Sequence, residues 1–306
     1  MSEPTTVFRV GPRDAGKRLD HFLHEKIPGL SRTRLQRAIR ERVELSWNAA
    51  ARPSIRVRGG GEVRIGYTPL VEEPLDLEIP VLVQGRGWLA VDKPPVMPVH
   101  PVNSIRENSL IRMLRRQLAA PSLRLAHRLD RETSGALLIA EDAASASSLS
   151  RAFQHGQVQK DYLAEVAGSV AGESGCIELP IGEDDDSPVF TKRMAGEGQA
   201  AQTEWSVERR GADRTLLLLR PRTGRRHQLR VHLAAIGHPV RGDILYGRDE
   251  SAYLAMVRGD GDVRRTEGGP TRQLLHCARM VFPDPSDGAR AEVVAPLPED
   301  FSLRPR

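Results

Sequence analysis

Two short stretches hold most of the side chains able to do chemistry. The first is Ala126-His127-Arg128-Leu129-Asp130-Arg131-Glu132-Thr133-Ser134-Gly135, directly before an apolar run at 136–140. Polar groups at the mouth of a buried strand are expensive unless they satisfy one another or meet a ligand. Asp130 stands close to Arg128 and Arg131, and nearby cations favour a carboxylate over a carboxylic acid. An ionised Asp can act as a nucleophile, a base or an electrostatic stabiliser. A salt-bridged turn with no chemistry is the simpler reading of the same spacing.

The second stretch is Arg222-Thr223-Gly224-Arg225-Arg226-His227-Gln228-Leu229-Arg230-Val231-His232. Gly224 permits a tight turn, and a helix is expected to begin after it. Arg225, Gln228 and His232 then fall at helical spacing, as do His227 and Arg230. Arg and Gln at a helix N-terminus suit an anion or phosphate. His227 and His232 are five apart, off the i,i+4 register of a zinc helix, with no HExxH and no clear third ligand, so no metal is expected. In the compact loop that follows, from Gly237 to Gly247, His238 and Asp243 are read as cross-braces.

The elements that must position these residues are strand-like runs at 81–83, 89–91, 136–139, 163–166, 203–207, 216–219 and 279–282. Helical stretches at 109–118, 143–155 and 227–236 interrupt them. Many strands with few, irregularly placed helices point to an α+β fold: a mostly antiparallel mixed sheet with flanking helices. Residues 249–273 are polar, Gly-rich and charged, and read as a mobile loop.

Ahead of this body lies a different region. Net charge over the 306 residues is +5, yet residues 1–68 carry 14 Lys and Arg against 7 Asp and Glu, so the basic excess sits in the N-terminal fifth. Such asymmetry suits a polyanion-binding segment beside a neutral body, or a solubilising basic face. Residues 17–29 read as an amphipathic helix with Leu19, Phe22, Leu23 and Ile27 inward, stopped by Pro28-Gly29. A second helix is N-capped by Ser31 and turns Leu35, Ala38 and Ile39 inward. Its other faces carry Arg32, Arg34, Arg37 and Arg40, a row that can pair with successive phosphates. Short β segments follow at 43–47, 55–57 and 62–65. The expected organisation is a tail at 1–15, a small basic α/β domain at 16–68, a Pro- and acid-rich linker at 69–80 and a large domain at 81–306. Two cysteines, Cys176 and Cys277, cannot form a disulfide framework, which fits a reducing, cytoplasmic compartment. No apolar stretch approaches the ~20 residues of a membrane span.

The N-terminal run RLDHFLHEKIPGLSRTRLQRAIRERVELS resembles a small RNA-binding domain first described in a small-subunit ribosomal protein. The likeness covers residues 16–67 and departs from the usual turn at Ser46-Trp47-Asn48-Ala49. From about residue 80 to 301, HRLDRETSG, RTGRRHQLRVHLAAIGHPVRGDILYG and LLHCARMVFPDP resemble the pseudouridine synthases of the RluA type. Val91-Asp92-Lys93-Pro94-Pro95 and Lys160-Asp161-Tyr162 match that family's opening and central strands. Departures are Cys277, where Ala is usual, and the acidic run Glu183-Asp184-Asp185-Asp186, where basic residues are usual.

The resemblance implies isomerisation of uridine within structured RNA, most readily ribosomal RNA of the large subunit, or alternatively transfer RNA. That reaction has no redox change and implies no cofactor and no metal. It implies Asp130 as the catalytic carboxylate, leaving open whether it attacks the base, attacks the sugar or removes a ribose proton. It implies Tyr162 stacked on the target base and Arg225 paired with Asp130 to keep it ionised. Leu229 would lie under the flipped ring, and Arg128 would fill the vacated stack, beside His127 as a further substrate contact. Arg32, Arg34 and Arg37 would hold the RNA backbone. The chain is expected to act as a monomer, away from membranes. Two other classes remain: an N-glycosyl hydrolase, for which Asp130 lacks a second acid other than Glu132, and a non-catalytic RNA-binding assembly factor.

Overall fold

The computed structural model describes residues 5–27, 32–66, 72–102, 105–258 and 269–305, apart from the side chains of 32–34. Two compact units divide the chain: Met1–Asp76 with His100–Arg112, and Leu77–Val99 with Met113–Arg306.

In the first unit, strand β1 (Thr5–Arg9) is followed by helices α1 (Leu19–Lys26) and α2 (Arg32–Arg42) and strands β2 (Val43–Leu45) and β3 (Glu62–Gly66). The strands form an antiparallel sheet in the order β1-β3-β2. Leu19, Phe22, Leu23 and Ile27 on one helix stripe and Leu35 and Ile39 on the other meet Val63 and Ile65 in one core. Period-3.6 apolar residues facing period-2 apolar residues produce this layer of helix on sheet. Three expectations change. Residues 1–15 are not a tail throughout, since β1 pairs along its whole length with β3. The segment at 55–57 makes a single bridge, Arg18 to Arg56, rather than a strand. The linker is no free spacer where it is described: the Glu72 carboxylate accepts the backbone N–H groups of Arg106, Glu107 and Asn108 at 2.6, 2.8 and 2.8 Å. Pro28-Gly29 and Ser31 lie outside the described residues.

The elements that follow are β4 (Val81–Gln84), β5 (Trp88–Lys93), α3 (Leu110–Gln117), β6 (Arg124–Leu125), β7 (Ser134–Ala140), α4 (Ala143–Gln154) and β8 (Gln159–Ala167). Then come β9 (Ser174–Ile177), β10 (Ile181–Glu183), β11 (Arg193–Ala195), β12 (Thr203–Arg210), β13 (Arg214–Pro221), α5 (Gln228–Ala235), α6 (Glu250–Arg258), β14 (Leu275–Pro283) and β15 (Arg290–Val294). Eight strands run in the order β4-β5-β7-β14-β8-β13-β12-β9, with β15 added to β14 and β6 to β7; β10 and β11 make a separate hairpin. Every pairing in the large sheet is antiparallel except β7 with β14. The fold is therefore α+β with a mostly antiparallel mixed sheet.

All seven residues of β7 are buried, as expected of an apolar run covered on both faces. Its one parallel contact needs Gly135. There φ is +105°, and a Cβ would lie 2.3 Å from the Cys277 carbonyl oxygen. Only glycine allows the strand to leave the preceding polar turn and close on β14 at that point. The stretch read as a mobile loop contains α6 instead, and residues 259–268 lie outside the described residues. Among the described residues no helix is long and apolar enough to cross a membrane.

Candidate active site

The turn from His127 to Thr133 is fastened from several sides. Beneath it Lys93, fully buried, donates from Nζ to the carbonyls of Pro94 at 2.7 Å and Arg131 at 3.0 Å. Burial pulls the Lys93 pKa down to about 7, opposed by the charges of Asp130 and Glu132. From the segment before β14, Gln273 donates its side-chain amide to Thr133 Oγ1 at 2.7 Å and its backbone N–H to Glu132 Oε2 at 3.3 Å. At the other end the backbone N–H of Leu138 donates to His127 Nε2 at 2.9 Å, so the His127 ring proton sits on Nδ1. His127 also stacks on Phe153 at 4.4 Å, and burial lowers its pKa to about 3, so the ring is neutral.

These ties hold Asp130 at the edge of a cavity of about 750 Å³ whose lining includes Arg128, Tyr162, Arg225, Leu229 and Arg230. Its partner is not Arg225. Arg230 Nη1 donates to Asp130 Oδ2 at 3.0 Å. The remaining edge of the same guanidinium is held by Asp243, with Nε to Oδ2 at 2.6 Å and Nη2 to Oδ1 at 2.9 Å. Asp243 also accepts the backbone N–H groups of Leu245 and Tyr246 at 2.9 and 3.1 Å. It braces its loop as expected, and in addition aims Arg230. Arg225 is exposed, donating from Nε to the Ala200 carbonyl at 3.0 Å.

The reason for this exchange is the helix start. Gly224 does not adopt positive φ; the left-handed residue is His227, at φ +57°, which serves as N-cap of α5. Arg225 therefore lies in the approach to the helix, and Arg230 lies within its first turn, buried against the strand mouth. Gln228 covers the approach: its side-chain oxygen accepts Thr223 Oγ1–H at 2.7 Å and the backbone N–H of Arg225 at 3.0 Å. Its amide group donates to Gln202 O and Thr203 Oγ1. His232, buried, contacts Thr203 Oγ1 and the Leu179 carbonyl, so the two histidines of this stretch serve different neighbours.

Burial alone would raise the Asp130 pKa, but the charges of His227 when protonated, Arg230 and Arg128, with the Arg230 hydrogen bond, bring it below its ordinary value. His227, desolvated, has its own pKa lowered to about 4. At neutral pH the ring is uncharged, and Arg230 is the cation that keeps Asp130 ionised. Tyr246 completes the support. Its ring lies under the Arg230 guanidinium at 4.9 Å, and its hydroxyl accepts the Arg193 backbone N–H at 3.0 Å. The same hydroxyl meets His227 Nδ1 at 2.8 Å. One arrangement that satisfies both contacts has Tyr246 donating to Nδ1. The His227 ring proton is then on Nε2, 4.0 Å from Asp130 Oδ1.

Tyr162, on the central strand β8 and cross-strand from Cys277, is almost fully buried; burial and Cys277 push its pKa well above the usual phenol value. Leu229 is buried in the same wall. Arg128 is exposed at the rim and makes no hydrogen bond or ion pair among the described residues. Of the α2 arginines, Arg37 is exposed and bonded to Glu41 at 2.9 Å, while the side chains of Arg32 and Arg34 lie outside the described residues. The acidic run is partly neutralised by its own chain: Lys192 pairs with Asp184 at 3.2 Å and Arg193 with Glu183 at 3.2 Å. The sequence reading missed Arg230 as the partner, Asp243 as its guide, Lys93, Gln273 and Tyr246. A lysine inside an apolar strand was the available signal for Lys93.

A family model described as RNA pseudouridylate synthase matches residues 87–235. The chain is 33% identical to the ribosomal large subunit pseudouridine synthase D of Nitrosomonas europaea, over 98% of this chain and 87% of that one. It is 30% identical to the ribosomal large subunit pseudouridine synthase C of Escherichia coli K12, over 96% and 93% respectively. The chain belongs to the pseudouridine synthases of the RluA type. Its fold is similar to the solved human RNA pseudouridylate synthase domain containing 1, with a TM-score of 0.59 and 28% identity over 74% of this chain and 86% of that one. The cavity brings together an ionised carboxylate with an open oxygen and a buried phenol.

Proposed function

We propose that this pseudouridine synthase acts on ribosomal RNA of the large subunit, with Asp130 as the catalytic carboxylate. The observation that carries the assignment is the state of Asp130. It is ionised, Arg230 bonds one of its oxygens, and Oδ1 accepts no hydrogen bond among the described residues while lining the cavity. In the reaction the bond from ribose C1′ to uracil N1 breaks, the uracil turns, and a bond from C1′ to C5 forms. The C5 proton is lost and N1 gains one, so mass and oxidation state are unchanged and no cofactor or metal is called for.

The other residues take roles that fit their surroundings. Tyr162, protonated at neutral pH, stacks on the flipped base, and Leu229 supports it from the cavity wall. Extruding a stacked uridine costs a few kcal/mol. Arg128, exposed and unpaired, offsets that cost by placing its planar guanidinium in the vacated stack. His127 lines the substrate path. Arg225 contacts RNA from the rim rather than holding Asp130. The first unit, through Arg32, Arg34 and Arg37, grips the RNA backbone, while the large unit, spanning most of 81–306, does the chemistry. The enzyme works as a cytoplasmic monomer. The substrate class follows the named activities of the relatives.

Mapping pseudouridines in RNA from cells with and without the protein tests this directly. Loss of defined sites in large-subunit ribosomal RNA, restored by the purified chain in vitro, is the expected result. Sites lost only from transfer RNA would move the substrate, and release of free uracil would replace isomerisation by hydrolysis. Arg128 is separated from Asp130 by RNA shape. Arg128→Ala should recover much of its rate when the target uridine sits in a mismatched site, and an unchanged ratio of loosened to structured RNA would reject the stacking role.

A further inference from the structure

The cavity is lined by more side chains than its chemistry uses. Asp130, Tyr162, Leu229 and Arg230 account for one part of its lining. A second part, formed by His127, Phe153, Gln154, Gly156, Val158 and Lys160, takes no bond-making or bond-breaking role in the isomerisation. The cavity measures about 750 Å³, inside the range of roughly 300–1,000 Å³ for ligand pockets, so its lining rather than its volume points to a second contact.

The chemistry of that second wall is specific. His127 and Phe153 stack at 4.4 Å with 27° between their planes, and both rings line the cavity while staying partly exposed. The His127 ring is neutral and locked by the Leu138 N–H, so the pair is a preformed aromatic surface. Lys160 stands two residues before Tyr162 on β8, hence on the same face of the strand. Among the described residues no carboxylate pairs with it. A desolvated ammonium without a counterion, beside an aromatic pair, suits a group that brings both a π face and a negative charge.

We propose that this wall is a second nucleotide subsite, which takes the neighbour of the target uridine by stacking its base on the His127–Phe153 pair and bonding its phosphate to Lys160. The inference rests on the reading of the cavity as the site of uridine isomerisation. The RNA chain must leave a flipped uridine on both sides, so an adjacent nucleotide is delivered to the cavity with the substrate. Base stacking tolerates any base, and the subsite would therefore read the path of the strand more than its sequence.

The test uses the full chain and an RNA hairpin carrying the mapped target uridine, with its 5′ or 3′ neighbour replaced in turn by an abasic residue. One replacement should weaken half-saturation in single-turnover conversion by about 5- to 100-fold for the wild type. Phe153→Leu keeps apolar bulk, and it should bind intact and abasic hairpins equally, at the level of wild type on the abasic one. Lys160→Gln should flatten the salt dependence by just under one logarithmic unit per decade, and Lys160→Arg should restore it. Melting temperatures check that the variants are folded. Wild-type indifference to both abasic positions, or a full abasic penalty in Phe153→Leu, would overturn the subsite alone. Failure of the wild type to convert uridine in any RNA would overturn the functional reading and the subsite with it.

Discussion

Two carboxylates of the large unit, Asp130 and Glu165, both rest on arginine and yet differ in every other respect. Glu165 lies on β8, on the face opposite Tyr162. It pairs with Arg241, accepts the backbone N–H groups of Ser302 and Leu303 at 2.9 and 3.2 Å, and takes the Ser302 hydroxyl at 2.8 Å. Its side chain is 0% exposed. Asp130 takes one hydrogen bond from Arg230, and its side chain is 23% exposed to the cavity. A carboxylate whose lone pairs are all taken is a fastening, here of the C-terminal segment to the sheet. A carboxylate held ionised by one cation, with an oxygen left open, is available for the reagent's role proposed for Asp130. An arginine partner does not distinguish them; exposure to the cavity and the number of unused acceptors do.

The largest effects should split along that line. Asp130→Asn is nearly isosteric but uncharged. It should lower single-turnover conversion by about 10⁴-fold or more, with RNA affinity within severalfold and an unchanged melting temperature. Glu165→Gln leaves Arg241 without its counter-charge and should destabilise the unit by about 3 kcal/mol, while the folded enzyme keeps its turnover. Chemical denaturation and single-turnover assays on both variants make the check. Substantial turnover by Asp130→Asn, or a dead but stable Glu165→Gln, would reverse the assignment.

Arg230 should come next. Removing it by Arg230→Gln leaves burial, which raises the Asp130 pKa, opposed at neutral pH only by more distant charge. With the carboxylate as the active form, as proposed, activity should fall as pH drops through the Asp130 pKa. In the wild type that fall lies below the ordinary carboxylate range. In the variant it moves upward, and the ratio of variant to wild-type rate should shrink steadily from pH 8 to pH 5. At neutral pH the loss should be about 10²- to 10³-fold. Parallel pH profiles would contradict the electrostatic role.

The unequal legibility of these two carboxylates follows from what a sequence encodes locally. Asp130, Arg128 and His127 share one string with Gly135, whose positive φ and close approach to Cys277 explain the glycine at the strand mouth. Seven strands and three helices of the large unit announced themselves by apolar runs and period. The short strands β6, β9, β10, β11 and β15 did not, because segments such as Ser174–Ile177 owe their form to the partner that pairs with them. α6 was hidden by the Gly-rich, charged residues that follow it. The partner of Asp130 was illegible for a similar reason: Arg225 and Arg230 sit in one string. The left-handed turn at His227 and the packing of α5 decide which of them meets a residue 100 positions earlier. Spacing showed that Arg230 shares a face with His227, but not what that face would touch.

Asp243 offers a finer cut, because it acts on Asp130 only through Arg230. Asp243→Asn keeps one acceptor for the guanidinium and loses the bidentate grip. Arg230 would remain charged but less well aimed, and misplacement of such a group costs about 10- to 100-fold in rate. A structural role alone would lower stability and leave the pH profile in place. The expected signature is a partial upward move of the acid limb, smaller than that of Arg230→Gln, and its absence would confine Asp243 to bracing its loop.

Tyr246→Phe should have the smallest effect. The ring stays beneath the Arg230 guanidinium, so the cation–π contact is kept. What is lost is the hydroxyl, which accepts the Arg193 N–H and meets His227 Nδ1. Losing that acceptor should cost about 1–2 kcal/mol of stability if the Arg193 N–H stays dry. The His227 ring is then free to carry its proton on either nitrogen. Because His227 is neutral at working pH in both proteins, the charge around Asp130 does not change. Conversion should therefore drop by only about threefold, with the acid limb unmoved, while Tyr246→Leu, which also removes the ring from under Arg230, should lose more. A Tyr246→Phe enzyme as slow as Arg230→Gln would mean that the phenol takes part in the chemistry rather than in the posture of its neighbours.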